Sequence, residues 1–319
     1  MSNESLMQAA RSALAETMQE DSRVQVLGED VSSGGPFGLT KGLYQDFGPA
    51  RIRNTPISEA SFIGVGIGLA LGGAHPLVDI MFNDFLTLAS DQLFNQAAKV
   101  HFMSGGHYSV PMTIWTVGGA GTRWGAQHSQ RLDGWLAQIP GLKVLSPASP
   151  KMMFTSMKSA LRDPDPVVIL VDRALLYSQK DLPGDGGTAW LPRIVQRGDQ
   201  ITLATTGRLV HLAREVSATL PVSVEIIDLQ RLSPLNVELI CESVNKTGHL
   251  VLAHDEVATG GLVAALALAV YDKAYWSLDA PIAHVTSPAT PVPAGANLED
   301  AYIIDEIAIR KTIMETLEK

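Results

Sequence analysis

Apolar and polar positions along the chain alternate between stretches with helical period and short β-rich runs. A helix is expected from about Ser5, then a strand at VQVL (24–27), a helix from Glu59, a strand at PLVDIM (76–81) and a helix from Asp84. Strands at PMTIWTV (111–117) and LKVL (142–145), a helix from Pro150 and a strand at PVVILV (166–171) complete this part. Strands this apolar on both faces, separated by helices, indicate a parallel sheet covered on each side. The pattern then stops. Residues 177–200, YSQKDLPGDGGTAWLPRIVQRGDQ, gather Gly, Pro, Asp and Gln, which marks a connection and puts the boundary between domains 1–189 and 190–319. A second alternation follows, with strands at ITLATTG (201–207), VSVEIIDL (222–229), HLVLAHDE (249–256) and IAHVTS (282–287). Its helices begin near Arg208, Asn236, Gly260 and Leu298. The expected class is α/β: two domains in series, each a mostly parallel sheet covered by helices.

Composition narrows the function. The 319 residues are 46% hydrophobic and 18% charged, which excludes a disordered or coiled-coil chain. A net charge of −9 without a basic stripe argues against nucleic acid and against an anionic membrane surface. The opening MSNESLMQAARSALAETMQED lacks the order of a signal peptide, and the apolar run after Glu59 falls short of the ~20 residues of a spanning helix, so a soluble cytoplasmic protein is expected. Cys241 is the only cysteine, which excludes an intrachain disulfide and a cysteine metal cluster and suggests a packed helix residue.

In parallel sheets ligands bind beyond the carboxyl ends of strands. Four residues stand there in the first domain: Glu29, Glu59, Phe85 and His128. Glu59 opens an apolar helix, where the macrodipole favours its carboxylate and apolar packing favours the neutral acid, a balance suited to proton exchange with a ligand nitrogen. The plainer reading is that Glu59 complements the helix terminus, with Ser58 as cap. His128, in the loop VGGAGTRWGAQHSQ, reads equally as a structural hydrogen-bonder or a general acid/base. Phe85 is placed to face a ligand ring, Phe82 to pack in the core, and His254 to serve structure. Gly64, Gly66, Gly68, Gly72 and Gly73 follow a helix start rather than a strand, so close helix packing explains them better than dinucleotide binding. GDGG at 184–187 reads as a turn in the connection.

Longer motifs in order, LGEDV, TKGLYQDFGPARIRNTPISEA, MFNDFLTLASDQLFNQAAK, MSGG, AQHSQ, IPGLKVLSPASP, RDPDPVV and HDEVATGG, resemble the beta subunit of the thiamine-diphosphate-dependent 2-oxo acid dehydrogenases, nearest the pyruvate and acetoin branch. The resemblance implies two transketolase-like domains, a pyrimidine-binding one and the C-terminal one, in an α2β2 heterotetramer. It implies that Glu59 contacts the aminopyrimidine nitrogen of thiamine diphosphate, that Phe85 packs on that ring, that Glu29 and Ser58 line the cofactor, and that His128 handles substrate and acyl transfer to lipoamide. Its structural potassium ion maps onto Met112, Ala160, Leu161, Asp163 and Asp165. The family's Gly-Asp-Gly and asparagine pair, which hold diphosphate and magnesium, belong to the alpha subunit and have no counterpart after GDGG here. A lipoyl acyltransferase core is the implied further partner, and a small 2-oxo acid or acyloin the substrate. Three departures stand out: Trp124, where relatives carry smaller residues; the missing acid after TGG; and the missing bulky residue near Gly295. These leave open substrate choice and docking to the acyltransferase core, and with them a split transketolase half or an acyloin-forming carboligase working without lipoamide; a rival of another class is a subunit kept for assembly alone.

Overall fold

The computed structural model describes residues 4–183 and 190–319; the GDGG stretch lies outside them. Helix α1 (Leu6–Glu20) begins with a reciprocal cap, Ser5 Oγ accepting from the Gln8 N–H and the Gln8 side chain accepting from the Ser5 N–H. Next come β1 (Val24–Gly28), α2 (Leu43–Phe47), β2 (Ile52–Asn54), α3 (Glu59–Leu71) and β3 (His75–Phe82). The helix expected from Asp84 is instead a 3-10 segment, Asn83–Ala89, followed by a π segment, Gln92–Ala97. Its first turn is contested: the Thr87 hydroxyl donates to the Asp84 carbonyl, and the buried Asp84 side chain accepts from Gln130 Nε2. The domain continues through α4 (Val100–Met103), β4 (Thr113–Gly118), α5 (Asp133–Ala137), β5 (Lys143–Leu145), α6 (Pro150–Ala160) and β6 (Val167–Asp172).

The second half contains β7 (Arg193–Gln196), β8 (Ile201–Thr205), α7 (Arg208–Ser217), β9 (Val224–Asp228), β10 (Arg231–Ser233), α8 (Glu238–Thr247), β11 (Leu250–Val257), α9 (Leu262–Ala274) and β12 (Ala283–Ser287). The closing helix is two, α10 (Ala296–Tyr302) and α11 (Glu306–Leu317), separated at the extended Ile303 and restarted by Asp305, whose side chain accepts from the Ala308 N–H.

The larger sheet runs β10-β5-β6-β4-β3-β1-β2 and the smaller β12-β11-β8-β9-β7. Every pairing is parallel except at β10 and β7, which add antiparallel to one edge of each sheet. β10, absent from the pattern reading, comes from beyond the connection yet pairs with β5 of the first domain. Burial on both faces follows the period of two along β6: Val167, Ile169 and Val171 enter one hydrophobic cluster, Val168 and Leu170 the other. Each cluster continues into the second sheet, through Leu203 and Ile226 on one side and Ala204 and Ile227 on the other.

Only one glycine of α3 shows the close packing expected of the set. A Cβ on Gly66 would lie 2.8 Å from Val78 Cγ2 and 2.9 Å from Met112 Sδ, whereas one on Gly64 would meet only Gln92 Cγ at 3.8 Å and one on Gly68 nothing within 4 Å. Gly72 caps the helix, and Gly73, at φ +90°, turns the chain into β3. Cys241 is buried on α8. Among the described residues no helix is long and apolar enough to cross a membrane.

Candidate active site

Because β1, β2, β3, β4 and β6 run parallel, the segments leaving their carboxyl ends open on one edge of the larger sheet. Glu29 leaves β1, Ser58 and Glu59 follow β2, Phe85 follows β3, the His128 loop leaves β4, and Arg173 follows β6. Topology thus gathers residues spread over more than half of the first domain's chain.

One side of this edge is acidic. Glu59 is half-buried in the first turn of α3. Ser58 precedes it but makes no side-chain cap; its hydroxyl donates instead to the Pro56 carbonyl, so the expected cap is absent. Glu29 has its pKa raised by burial and by the charges of Glu59 and Asp30. Asp79, on β3, is buried and pushed up to about 7, chiefly by burial, with the Glu29 charge adding and the hydrogen bond from the Met81 N–H opposing. Around it the backbone is tight: a Cβ on Gly28 would lie 2.5 Å from the Asp79 carbonyl oxygen, and one on Gly35 3.2 Å from Asp79 Oδ2. Burial, with the charges of neighbouring acids, thus disfavours ionisation of Glu29 and most strongly of Asp79. Sequence reasoning passed over Asp79, although a single acid inside an otherwise apolar strand was its visible signal.

The other side is aromatic. Phe82, assigned to the core from sequence, is buried but also central to the site: its ring lies edge-on to Phe85 at 5.4 Å and to His128 at 4.8 Å, and 5.3 Å from Trp124. Phe85 and His128 are themselves 5.5 Å apart. The Arg173 guanidinium stacks over Phe82 at 5.1 Å and Trp124 at 5.2 Å, while Nη1 donates to Thr122 Oγ1 and Nη2 to the His128 carbonyl. Burial lowers the Arg173 pKa, against the opposing charges of Asp84, Asp172 and Glu299. Trp124 is half-exposed, covering this group from the solvent side. Among the described residues none hydrogen-bonds the ring nitrogens of His128, which leaves both for a ligand. Arg173 was missed from sequence because an arginine just after a strand reads as surface.

Two other sets of residues stand elsewhere. Met112, Ala160, Leu161, Asp163 and Asp165 gather at the opposite, amino-end edge, beside the starts of β4 and β6. Their oxygens have protein partners: Met112 O accepts from Val167 N–H, Ala160 O from Asp163 N–H, and Leu161 O from His75 Nδ1. Lys143 Nζ lies 2.7 Å from Asp163 and 3.0 Å from Asp165. His254 is buried on β11, where its Nδ1 accepts from the Glu256 N–H and its Nε2 lies 3.5 Å from Asp133. Burial opposes its charge, but Asp133 prevails and raises its pKa. Asp133 also holds Arg131 at 2.5 Å, and Glu256 accepts from the Gly134 and Leu262 N–H groups, so these buried charges tie α5 to the second domain.

Comparison with known proteins fits this architecture. The transketolase pyrimidine-binding domain family matches residues 4–179, and the transketolase C-terminal domain family residues 192–309. The solved structure of a split-gene transketolase, an inactive beta4 tetramer, shares the fold over 99% of this chain and 98% of its own, with a TM-score of 0.80 and 22% identity. The fold and the site edge together define a two-domain chain of the transketolase type. Among curated proteins, the beta subunit of acetoin:2,6-dichlorophenolindophenol oxidoreductase from Bacillus subtilis (strain 168) is 36% identical, covering 98% of this chain and 97% of that one. The chloroplastic pyruvate dehydrogenase E1 component subunit beta-3 of Oryza sativa subsp. japonica is 37% identical over 95% and 79%. The 2-oxoisovalerate dehydrogenase subunit beta of Bacillus subtilis (strain 168) is 33% identical over the full length of both. The chain belongs to the family of beta subunits of thiamine-diphosphate-dependent 2-oxo acid and acetoin dehydrogenases.

Proposed function

We propose that this chain is the beta half of a thiamine-diphosphate-dependent dehydrogenase acting in the cytoplasm on pyruvate, another small 2-oxo acid or acetoin. It cleaves the carbon–carbon bond next to the carbonyl and passes the acyl group to lipoamide on an acyltransferase core. Residues 1–189 form the pyrimidine-binding domain and 190–319 the C-terminal domain. The observation that carries the reading is the edge itself, a half-buried Glu59 near Glu29 and the buried Asp79, beside an aromatic group containing an uncommitted imidazole.

Those residues suit thiamine diphosphate. When bound, this cofactor supplies a carbon acid next to a cationic ring nitrogen, which serves as nucleophile and electron sink. Glu59 holds a proton against the pyrimidine nitrogen, Phe85 packs on the pyrimidine face, and Glu29 and Ser58 line the same wall. His128 gives and takes a proton at the substrate oxygen and assists transfer of the acyl group. Phe82, Trp124 and Arg173 exclude water around it. Diphosphate and magnesium fall to an alpha subunit in an α2β2 assembly, since the sequence lacks the motif for them. A structural potassium ion on the main-chain oxygens of Met112, Ala160, Leu161, Asp163 and Asp165 belongs to the same reading; Lys143 engages the side-chain carboxylates of Asp163 and Asp165.

The test is reconstitution with the alpha partner, following dye reduction and lipoamide acylation with pyruvate and with acetoin. Glu59→Ala is expected to lower kcat by about 10²-fold or more, and His128→Ala to depress lipoamide acylation more than dye reduction. Full activity in Glu59→Ala would sink the mechanism. Trp124, narrowing the approach to His128, favours a second reading as a carboligase or split transketolase half. Ketol transfer between sugars without lipoamide would establish that reading, and turnover indifferent to both substitutions would leave a subunit for assembly.

A further inference from the structure

Between β4 and α5, residues 119–132 contain neither helix nor strand, yet this stretch carries Trp124 and His128. Its internal bonds are long: Gly119 N–H to the Gln130 carbonyl at 3.3 Å and His128 N–H to the Gly125 carbonyl at 3.4 Å. Such a loop needs outside support to hold one shape. From the first domain it has Arg173 and, at its far end, the bonds of Gln130 to Asp84 and of Arg131 to Asp133. The turn at 121–123 takes further support from α10, beyond the connection.

Glu299, whose side chain is fully buried, accepts from the Gly121 N–H at 2.8 Å, from the Arg123 N–H at 3.0 Å and from Arg123 Nη1 at 2.6 Å. Asp300 takes the other arm of the same guanidinium at 2.6 Å. Arg123 stands at φ +65°, a conformation that a residue with a side chain keeps only when its surroundings hold it. The next residue, Trp124, is thereby turned onto Phe82 and Arg173. Gly125, at φ +73°, then passes so near the second domain that a Cβ would lie 3.3 Å from the Ala294 Cβ.

We propose that Glu299 is a positioning residue for the site: through one carboxylate, the second domain sets the turn at Arg123 and so sets Trp124 and His128 against Phe82. The consequence for acyl transfer rests on the reading of His128 given above. Substrate handling by the first domain then depends on a residue of the second that touches neither substrate nor cofactor.

Glu299→Gln tests this, since the amide keeps the shape but cannot accept from three donors at once. In the reconstituted holoenzyme, hydrogen exchange of peptides within 119–131 is expected to accelerate by about tenfold or more, the factor that loss of a charge-assisted bond brings, with β4 and α11 unchanged. The ratio of lipoamide acylation to dye reduction is expected to fall with it. Exchange and ratio both at wild-type values would overturn the proposal. If Glu299→Gln loosens the whole protein, Arg123→Ala, which removes the guanidinium and leaves the carboxylate to the backbone donors, decides the matter. A local rise in exchange with a lowered ratio supports positioning; a uniform rise with both activities falling in parallel refutes it. A wild-type holoenzyme that turns over no 2-oxo acid or acyloin would refute the functional reading alone, because the exchange measurement still reports on the loop.

Discussion

Replacing Asp79 by Asn should stabilise the protein at neutral and alkaline pH. The carboxyl is held at about 7 by burial and the nearby Glu29 charge, while the same group in an unfolded chain titrates near ~3.9. Between those values the folded state binds a proton that the unfolded state has released, so stability falls as pH rises through this window and stays lowered above it. At about 1.36 kcal/mol per unit, the roughly three-unit gap amounts to an upper bound of about 4 kcal/mol at pH 8. Asp79 is only 2% exposed, so solvent screens little of this. Asparagine has nearly the same shape, and its amide oxygen can keep the 2.9 Å bond from the Met81 N–H without carrying charge. Urea unfolding of the full chain at a series of pH values from 4 to 8 provides the assay. The stability difference between Asp79→Asn and wild type should be smallest at pH 4 and grow in favour of the variant toward pH 8. A difference that stays constant across the series would refute the argument.

Two further outcomes follow from the packing. Gly66→Ala should destabilise the chain by about 1–3 kcal/mol, because the new methyl meets Val78 and Met112 inside 3 Å; Gly68→Ala in the isolated chain should stabilise by up to ~1 kcal/mol, because helix propensity improves in open space. Thermal unfolding of the pair checks both signs, and equal effects would show that the contact at Gly66 is not decisive. Trp124→Ala should shift preference toward a 2-oxo acid one methylene longer by about 10- to 200-fold in relative kcat/KM, measured by competition, and an unchanged ratio would remove Trp124 from substrate selection.

The alternation of period-3.6 and period-2 stretches made the α/β class and the order of most strands legible, since burial on both faces of strands such as β6 leaves a continuous apolar run. Among the features that escaped it are β2 and β7, the latter inside the stretch read as a connection, and three more with a physical reason each. β10 is too short, at three residues, to show a period, and its partner β5 is remote in sequence. The segment after β3 carries helical spacing but forms 3-10 and π turns, with the Thr87 hydroxyl on the Asp84 carbonyl and Gln130, remote in sequence, on the Asp84 carboxylate. Gly68 was indistinguishable from Gly66 in a string of letters, because what separates them is the approach of Val78 and Met112. At the site, Glu29, Glu59, Phe85 and His128 could be selected because each follows a strand. Arg173 also follows a strand but reads as surface, and Asp79 and Glu299 follow none; the importance of all three lies in what faces them across the fold. For Glu299 the partners lie 176 and 178 residues earlier.

The antiparallel addition of β10 to β5 has a consequence for how the chain is made. Until residues 231–233 leave the ribosome, the first sheet ends in β5, whose outer hydrogen-bonding groups are bare. A nascent first domain therefore carries an open edge while much of the second domain is still being translated, exposed to pairing with neighbouring nascent chains. A gene cut between the two halves would make that temporary edge permanent, so this protein is divisible by sequence pattern but not by its sheets.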